Sequence, residues 1–155
     1  MVKDRAAIIA PPPLLTLLCI AAGFVAAHFK PLPIFAGFAS ARVAASIAIF
    51  LLAALVIFLA LVQLITHKEE PSPYKPTHAI VGSGIYRVTR NPIYVGFLLV
   101  ALGTAVAANS VWLLLAFVVL FVLLDFGVVR AEERYLAGKF GGEYEAYRGR
   151  VRRWI

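Results

Sequence analysis

Four long stretches that are almost free of charged residues constrain the fold of this chain more than any other feature of its sequence. They cover residues 6–29, 43–66, 92–108 and 111–129, and only the last contains a charged residue, Asp125. An α-helix of about 20 apolar residues is long enough to cross the hydrocarbon core of a bilayer, which is about 30 Å thick. We therefore predict an all-α integral membrane protein with four transmembrane helices, in which residues 1–155 form a single domain.

Composition excludes most of the alternatives to a membrane protein. The chain is 62% apolar and only 15% charged, whereas soluble domains are about 45–50% apolar and about 25% charged. The single cysteine, Cys19, allows no internal disulfide and no multi-cysteine metal site. His28, His67 and His78 lack the spacing of metal ligands, so we predict no metal site.

The distribution of positive charge predicts the orientation of the chain. The sequence contains fifteen Lys and Arg residues. Lys30 and Arg42 lie between the first and second stretches, on the same predicted side of the membrane as the turn between the third and fourth. The other thirteen lie on the opposite side. Positive residues concentrate on the cytoplasmic side of membrane proteins. This rule places both termini, the loop at 67–91 and a helical C-terminal tail in the cytoplasm. It also explains the net charge of +7 without nucleic acid as a partner.

The polar residues gather at one predicted cytoplasmic mouth. Asn109 and Ser110 predict a tight turn between the third and fourth helices, with Trp112 as an interfacial anchor. A short turn makes the start of the third helix a neighbour of the end of the fourth. Asn91 and Pro92 are typical of a helix start, since Asn favours the cap and Pro the first turn. Such a start either only caps the helix or binds an anion.

Three carboxylates at the end of the fourth stretch allow two interpretations. Asp125 lies within the predicted span, where a carboxylate is costly unless it faces a partner or a wet cavity. It either forms a structural pair, for example with Arg42 or a buried Tyr, or takes part in function. Glu132 and Glu133 lie at the membrane edge and are either a solvated helix end or part of the mouth.

Glycines mark two turns near the mouth. Gly82 and Gly84 do not form a dinucleotide-binding loop, because Arg87 occupies the third glycine position and no strand precedes them. A tight turn that carries Tyr86 to the membrane edge is favoured instead. After the second break, at 141–142, aromatic and apolar residues recur at helical spacing among arginines. By composition alone, this tail is an interfacial basic helix on anionic lipid.

Taken together, the motifs resemble those of the isoprenylcysteine carboxyl methyltransferase and phospholipid methyltransferase superfamily. The resemblance covers residues 77–155 and rests on the segments Gly84-Ile85-Tyr86-Arg87, Arg90-Asn91-Pro92-Ile93-Tyr94-Val95-Gly96, Glu132-Glu133-Arg134-Tyr135-Leu136, and Phe140-Gly141-Gly142-Glu143-Tyr144-Glu145-Ala146-Tyr147 with Val151-Arg152-Arg153-Trp154. The family pattern has histidine where this chain has Asn91. An imidazole base is therefore unavailable at that position.

The resemblance implies S-adenosylmethionine as cofactor and methyl transfer to a small or lipid-like acceptor reached from the membrane. It implies a multi-pass enzyme of the cell membrane, which is the inner membrane if the protein is bacterial, with the active site facing the cytoplasm. Carried over by position, the cofactor-binding residues are Tyr86, Arg90, Asn91, Tyr94, Gly96, Glu132, Glu133, Tyr144, Tyr147 and Arg152. The residues expected to orient the acceptor or assist its turnover are Arg87, Arg90 and Asp125.

Two other functions remain open at this point. A small four-helix transporter would use Asp125 to couple protons or cations. A sterol-reductase-like enzyme using NADPH would share the Gly, Tyr and Val spacing of the tail. The sequence does not identify the acceptor atom or the oligomeric state.

Overall fold

A computed structural model describes residues 6–71 and 75–155, which form six α-helices. Lys3 and Arg5, which contribute to the predicted orientation, lie outside the described residues. The helices are α1 (Pro12–Phe29), α2 (Ala39–Thr66), α3 (Pro92–Ala108), α4 (Val111–Leu124), α5 (Arg130–Phe140) and α6 (Gly142–Arg150), with a 3-10 turn at Gly84–Arg87 and a π-helical turn at Asp125–Val129. Within the described residues the only β-type pairing is an isolated bridge between Thr89 and Arg152. The predicted all-α fold is confirmed.

Several of these helices are suited to a membrane. By length and composition, α1, α2 and the continuous helix Val111–Phe140 are able to cross a bilayer, and α3 is a shorter apolar helix of 17 residues. Large apolar side chains are exposed along them, including Leu17, Leu51 and Val119. An apolar surface of this kind suits contact with lipid rather than water. The fold is that of a multi-pass membrane protein, and the count of four spans and the orientation remain predictions.

The helix boundaries differ from the predicted stretches at three places. α1 begins at Pro12 rather than at residue 6, because Pro lacks the N–H that a helix interior needs and fits its first turn. α2 begins at Ala39, four residues earlier than predicted. The fourth helix does not end at Val129 but continues through the π-helical turn into α5.

The segment before α1 is held by the π-helical turn. The N–H of Ile9 donates a hydrogen bond to the carbonyl of Gly127, at 3.1 Å. A π-helical turn leaves backbone groups outside the regular helical pattern, and Ile9 uses one of them. Gly127 has no side chain, and a Cβ at this position would overlap the Ile9 side chain.

The core lies between α1, α3 and α4, while α2 packs mainly on α3. Glycines allow the closest helix approaches. Gly23 of α1 contacts Leu113, and Gly96 of α3 lies against Ile57 of α2. Cys19 is a buried member of the core and packs there as a small apolar residue.

One end of the bundle is closed by the predicted turn between α3 and α4. Asn109 has a left-handed φ of 51°, and its Oδ1 accepts the N–H of Phe35 at 2.9 Å. The indole of Trp112 donates to the carbonyl of Lys30, and the guanidinium of Arg42 donates to carbonyls in the last turn of α3. Lys30 and Arg42 therefore lie at this end, and the loop after α2 lies at the other with the tail.

Candidate functional site

An open cleft of about 960 Å³ lies where the start of α3, the helices α5 and α6, and the loop after α2 meet. Eight residues predicted from the sequence line it: Tyr86, Arg90, Asn91, Tyr94, Glu132, Glu133, Tyr144 and Tyr147. The predicted proximity of the α3 start to the Glu132 region is confirmed.

Glu132 and Tyr94 form a hydrogen-bonded pair across the cleft. The hydroxyl of Tyr94 donates to Oε1 of Glu132 at 2.5 Å. Among the described residues, no hydrogen bond or ion pair occupies the other oxygen, Oε2. Glu132 therefore has one carboxylate oxygen available to a ligand in the cleft.

Glu133, one residue later, is fully committed to two arginines. Arg90 Nη2 lies 2.6 Å from its Oε1, and Arg153 Nη2 lies 2.7 Å from its Oε2. The side chains of Arg90 and Glu133 are only 8% and 11% exposed. Hydrogen bonding to Glu133 raises the pKa of Arg153, so its charge is fixed. Glu133 therefore links the segment that precedes α3, through Arg90, to the C-terminal tail, through Arg153.

The chain end runs beside the residues that precede α3. Arg90 donates its backbone N–H to the carbonyl of Arg152 at 3.0 Å, and Thr89 Oγ1 donates to the carbonyl of Arg153 at 3.1 Å. Asn91 lies at the cap position of α3, as predicted, but its side chain caps nothing. Its Nδ2 instead donates to the carbonyl of Arg153 at 2.9 Å. Asn91 therefore binds the tail rather than the free N–H groups at the start of α3.

Tyrosines from α6 form the inner wall of the cleft. Tyr144 is 1% exposed and Tyr147 is 7% exposed, and the Tyr147 hydroxyl donates to the carbonyl of Tyr86 at 2.8 Å. Burial, with the nearby carboxylate of Glu133, raises the pKa of Tyr144 to about 12, and burial also raises the pKa of Tyr86 and Tyr147. All three phenols stay protonated and can donate hydrogen bonds.

The burial of these tyrosines corrects the interpretation of the tail as an amphipathic helix on lipid. Tyr144 and Tyr147 face the protein interior, and α6 ends at Arg150, so Val151 and Trp154 are not part of the helix. The apolar spacing indicated a helix, but its apolar side packs on the cleft rather than on lipid.

Asp125 lies outside the cleft and has structural partners. Its carboxylate accepts hydrogen bonds from Arg130 Nε at 2.8 Å and from the Trp154 indole at 3.1 Å, and Arg153 Nη1 lies 3.3 Å away. The predicted pairing with Arg42 is wrong, because Arg42 lies at the opposite end of the bundle. The π-helical turn places Asp125 against the chain end, where it anchors the tail.

Three further predicted residues do not line the cleft. Arg87 is exposed in the 3-10 turn, and Gly96 is buried against Ile57 of α2. Arg152 is exposed and contributes its backbone carbonyl to the contact with Arg90. Motif position alone does not show whether a residue faces the ligand or supports a neighbour.

Sequence reasoning missed Glu69, which holds the loop over the cleft. It is 6% exposed, and its carboxylate accepts the N–H of His78 at 2.9 Å and that of Ala79 at 2.7 Å. Glu69 also lines the cleft. Nothing in the sequence distinguishes it from the adjacent Glu70, which is exposed and paired with Lys75. In the part of the chain that the structure describes, no cluster of His, Cys, Asp and Glu residues is suited to a metal ion.

Comparison with known proteins identifies the family of this chain. Residues 41–143 match the phospholipid methyltransferase family. The chain belongs to this family. The match begins in α2, upstream of the motifs at 77–155, and confirms the superfamily that those motifs resemble.

Individual relatives of this phospholipid methyltransferase family member are similar over about half of the chain. The protein-S-isoprenylcysteine O-methyltransferase of Schizosaccharomyces pombe is 43% identical over 75 residues, which cover 48% of this chain and 31% of the relative. That of Saccharomyces cerevisiae is 37% identical over 76 residues, 48% of this chain and 31% of the relative. A probable protein-S-isoprenylcysteine O-methyltransferase of Oryza sativa subsp. indica is 35% identical over 78 residues, 50% and 41% respectively.

The chain thus spans between 31% and 41% of the length of these curated relatives. No solved structure matches it. Membership of a methyltransferase family favours neither the transporter nor the sterol-reductase-like alternative.

Proposed function

We propose that this protein transfers a methyl group from S-adenosylmethionine to a small or lipophilic acceptor that reaches the cleft from the membrane. The observation that carries this proposal is the cleft itself, which the methyltransferase-like motifs line together in a chain of the phospholipid methyltransferase family. The relatives' names describe O-methylation of isoprenylcysteine proteins.

The charge of the cleft fits this cofactor. Four carboxylates line it, those of Glu69, Glu70, Glu132 and Glu133. Lys75 pairs with Glu70, and Arg90 and Arg153 pair with Glu133, so the negative charge left in the cleft is that of Glu69 and Glu132. S-adenosylmethionine carries a positive sulfonium and a positive ammonium against one carboxylate. An acidic cleft concentrates a ligand with net positive charge and stabilises it there.

The residues divide into ligand contacts and supports. Glu132 would hold the ammonium group, because its Oε2 is available while both oxygens of Glu133 are taken. The free N–H groups at the start of α3 would receive the cofactor carboxylate, and the phenols of Tyr86 and Tyr144 would donate to polar groups. Glu133 acts as a support for Arg90.

The main task of the protein in methyl transfer is to position the acceptor against the cofactor. The cofactor, when bound, supplies a methyl group on a sulfonium that is already activated for in-line displacement. The chain orients the acceptor on the line of attack and excludes water, which buried Tyr144 and Tyr147 help to do.

Part of the cleft lining is apolar, which supports a lipophilic acceptor. The residues that form it are Ala6, Leu64, Ile80, Ile93 and Leu136. Leu64 and Ile93 belong to the membrane helices α2 and α3. We propose that the acceptor enters along this part of the lining, and that the polar part faces the cytoplasm at the surface of the cell membrane.

Calorimetric titration of the detergent-purified chain tests the cofactor. S-adenosylmethionine and S-adenosylhomocysteine are expected to bind, and NADPH is expected not to bind. Glu132→Gln should weaken S-adenosylmethionine binding about tenfold or more, since it removes a charge-assisted contact worth about 1.5–3 kcal/mol. Glu143→Gln is the matched control, because Glu143 is exposed on α6 and does not line the cleft.

Two results would contradict the proposal. Binding of NADPH without either S-adenosyl compound would point to a nicotinamide enzyme. Equal binding by the Glu132→Gln and Glu143→Gln variants would remove Glu132 from the cofactor site.

A further inference from the structure

A second concave surface lies on the outer side of α5, behind the cleft. We name it the arginine groove. It has a volume of about 500 Å³ and is lined by Arg130, Arg134, Ala137, Arg148, Arg153 and Glu133. Its lining therefore contains four guanidinium groups and one carboxylate. Glu133 also lines the cofactor cleft, so the two sites share a wall.

The contacts of Arg130 show where the arginine groove lies relative to the apolar surface of α4. Its Nε and Nη2 each lie 2.8 Å from Oδ2 of Asp125, and its guanidinium carbon lies 3.8 Å from the centre of the Phe126 ring. Phe126 is 60% exposed on a helix whose exposed residues are otherwise apolar up to this point. The groove thus begins where the apolar surface ends. Lipid phosphates lie at this level of a bilayer, and arginine side chains reach them there.

The acidic residues that the structure describes balance only part of the charge of the arginine groove. Arg153 is paired with Asp125 and Glu133. Arg134 is exposed and has no acidic partner among the residues that the structure describes. Arg148 is paired only with Glu145, at 3.3 Å and with both side chains about half exposed. An exposed pair of this kind contributes little, so Arg134 and Arg148 are both able to bind an anion.

We propose that the arginine groove binds the phosphate of an anionic phospholipid headgroup. The planar guanidinium matches phosphate oxygens in a bidentate geometry, and arginines from α5, α6 and the chain end would surround it. Contact with Phe126 favours a lipid over free phosphate, because the acyl chains continue along the apolar surface of α4. Bound lipid would hold α5, α6 and the tail together, and would thereby stabilise the wall shared with the cleft.

Native mass spectrometry of the full chain, released from detergent micelles, tests this site. The probes are phosphatidylglycerol and phosphatidylcholine with identical acyl chains, added at equal concentration, and inorganic phosphate in a separate titration. Phosphatidylglycerol should be retained in preference to phosphatidylcholine. Arg134→Gln and Arg148→Gln should each lower its apparent affinity about fivefold, the effect of one positive residue near an anionic lipid surface.

Arg150→Gln is the matched control for general surface charge. Arg150 lies on α6, two residues after Arg148, but its Nε bonds to the carbonyl of Ala146 and it does not line the groove. This variant should retain phosphatidylglycerol like the unmodified chain. Arg134→Lys should retain most of the affinity, because it keeps the charge. Unchanged melting temperatures of all four variants would show that folding is intact.

Three outcomes would overturn the proposal. Equal retention of the two lipids would show that the groove does not select an anionic headgroup. An equal loss of affinity in Arg150→Gln would show general attraction to a basic surface. Displacement of phosphatidylglycerol by an equal concentration of inorganic phosphate would show a site for the free anion.

Discussion

At the scale of single residues, the charged side chains near the cleft mostly neutralise one another. Arg90 and Arg153 are held by Glu133, and Arg153 also reaches Asp125. A charge removed from water is costly unless an opposite charge and hydrogen bonds replace its solvation. This requirement explains why the cluster is closed on itself, and why Glu132 is the carboxylate left for a ligand.

Loss of Glu133 should destabilise the protein as well as the site. Glu133→Gln keeps the shape but leaves Arg90 without its partner in a place where its side chain is 8% exposed. We expect the free energy of unfolding to fall by about 3 kcal/mol, the low end for a broken buried pair, because Arg153 is 30% exposed. Thermal melting in detergent measures the loss.

Glu145→Gln is the control for Glu133→Gln, since it breaks an exposed ion pair with Arg148. Exposed pairs contribute about 0–1 kcal/mol, so its melting temperature should barely change. Equal melting of the two variants would show that the Glu133 pairs contribute no stability.

The sequence indicated which residue types gather at the cleft but not which partner each one takes. Glu132 and Glu133 are adjacent and chemically identical, yet one faces Tyr94 and the other faces two arginines. Glu69 and Glu70 differ in the same way. Which side a carboxylate faces depends on contacts with residues far along the chain, and periodicity alone carries no information about them.

At the scale of helices, prediction succeeds in the middle of each element and fails at its ends. An apolar run fixes the middle, because the backbone must satisfy its hydrogen bonds internally in lipid. The ends depend on local geometry that the runs do not contain. The π-helical turn is the clearest case, because it extends the fourth helix past Val129 and uses the Gly127 carbonyl to hold Ile9. No feature of the sequence marks that insertion.

The closest contact between α2 and α3 supplies a test of packing at this scale. Gly96 lies against Ile57, and a Cβ at this position would overlap that side chain. Gly96→Ala should therefore lower the free energy of unfolding by about 1–3 kcal/mol, the usual cost of overpacking. The same melting experiment measures it.

Gly138→Ala on α5 is its control, because a Cβ there would meet nothing within 4 Å. In an open helical position, alanine should stabilise by about 0.5–1 kcal/mol. If Gly96→Ala were as stable as Gly138→Ala, α2 and α3 would have to pack less closely than the structure shows.

At the scale of the whole molecule, the two ends of the bundle differ in chemistry. Lys30, Arg42 and the α3–α4 turn form one end, and the cleft, the arginine groove and the tail form the other. This division follows from the order of the apolar stretches, so the sequence predicted it. The way the chain end pairs with Thr89 and Arg90 was not predictable, because a single β-type bridge leaves no periodic pattern.

The positive-inside rule assigns the cleft end to the cytoplasm, and cysteine labelling tests that assignment. Cys19 is buried, so the unmodified chain should not react with a membrane-impermeant maleimide. Phe35→Cys, exposed at the end formed by the α3–α4 turn, should react in intact right-side-out membranes. Arg150→Cys, exposed on α6, should react only after the membrane is permeabilised. The reverse pattern would place the cleft on the opposite face, where cytoplasmic S-adenosylmethionine could not reach it, and would contradict the orientation and the proposed cofactor access together.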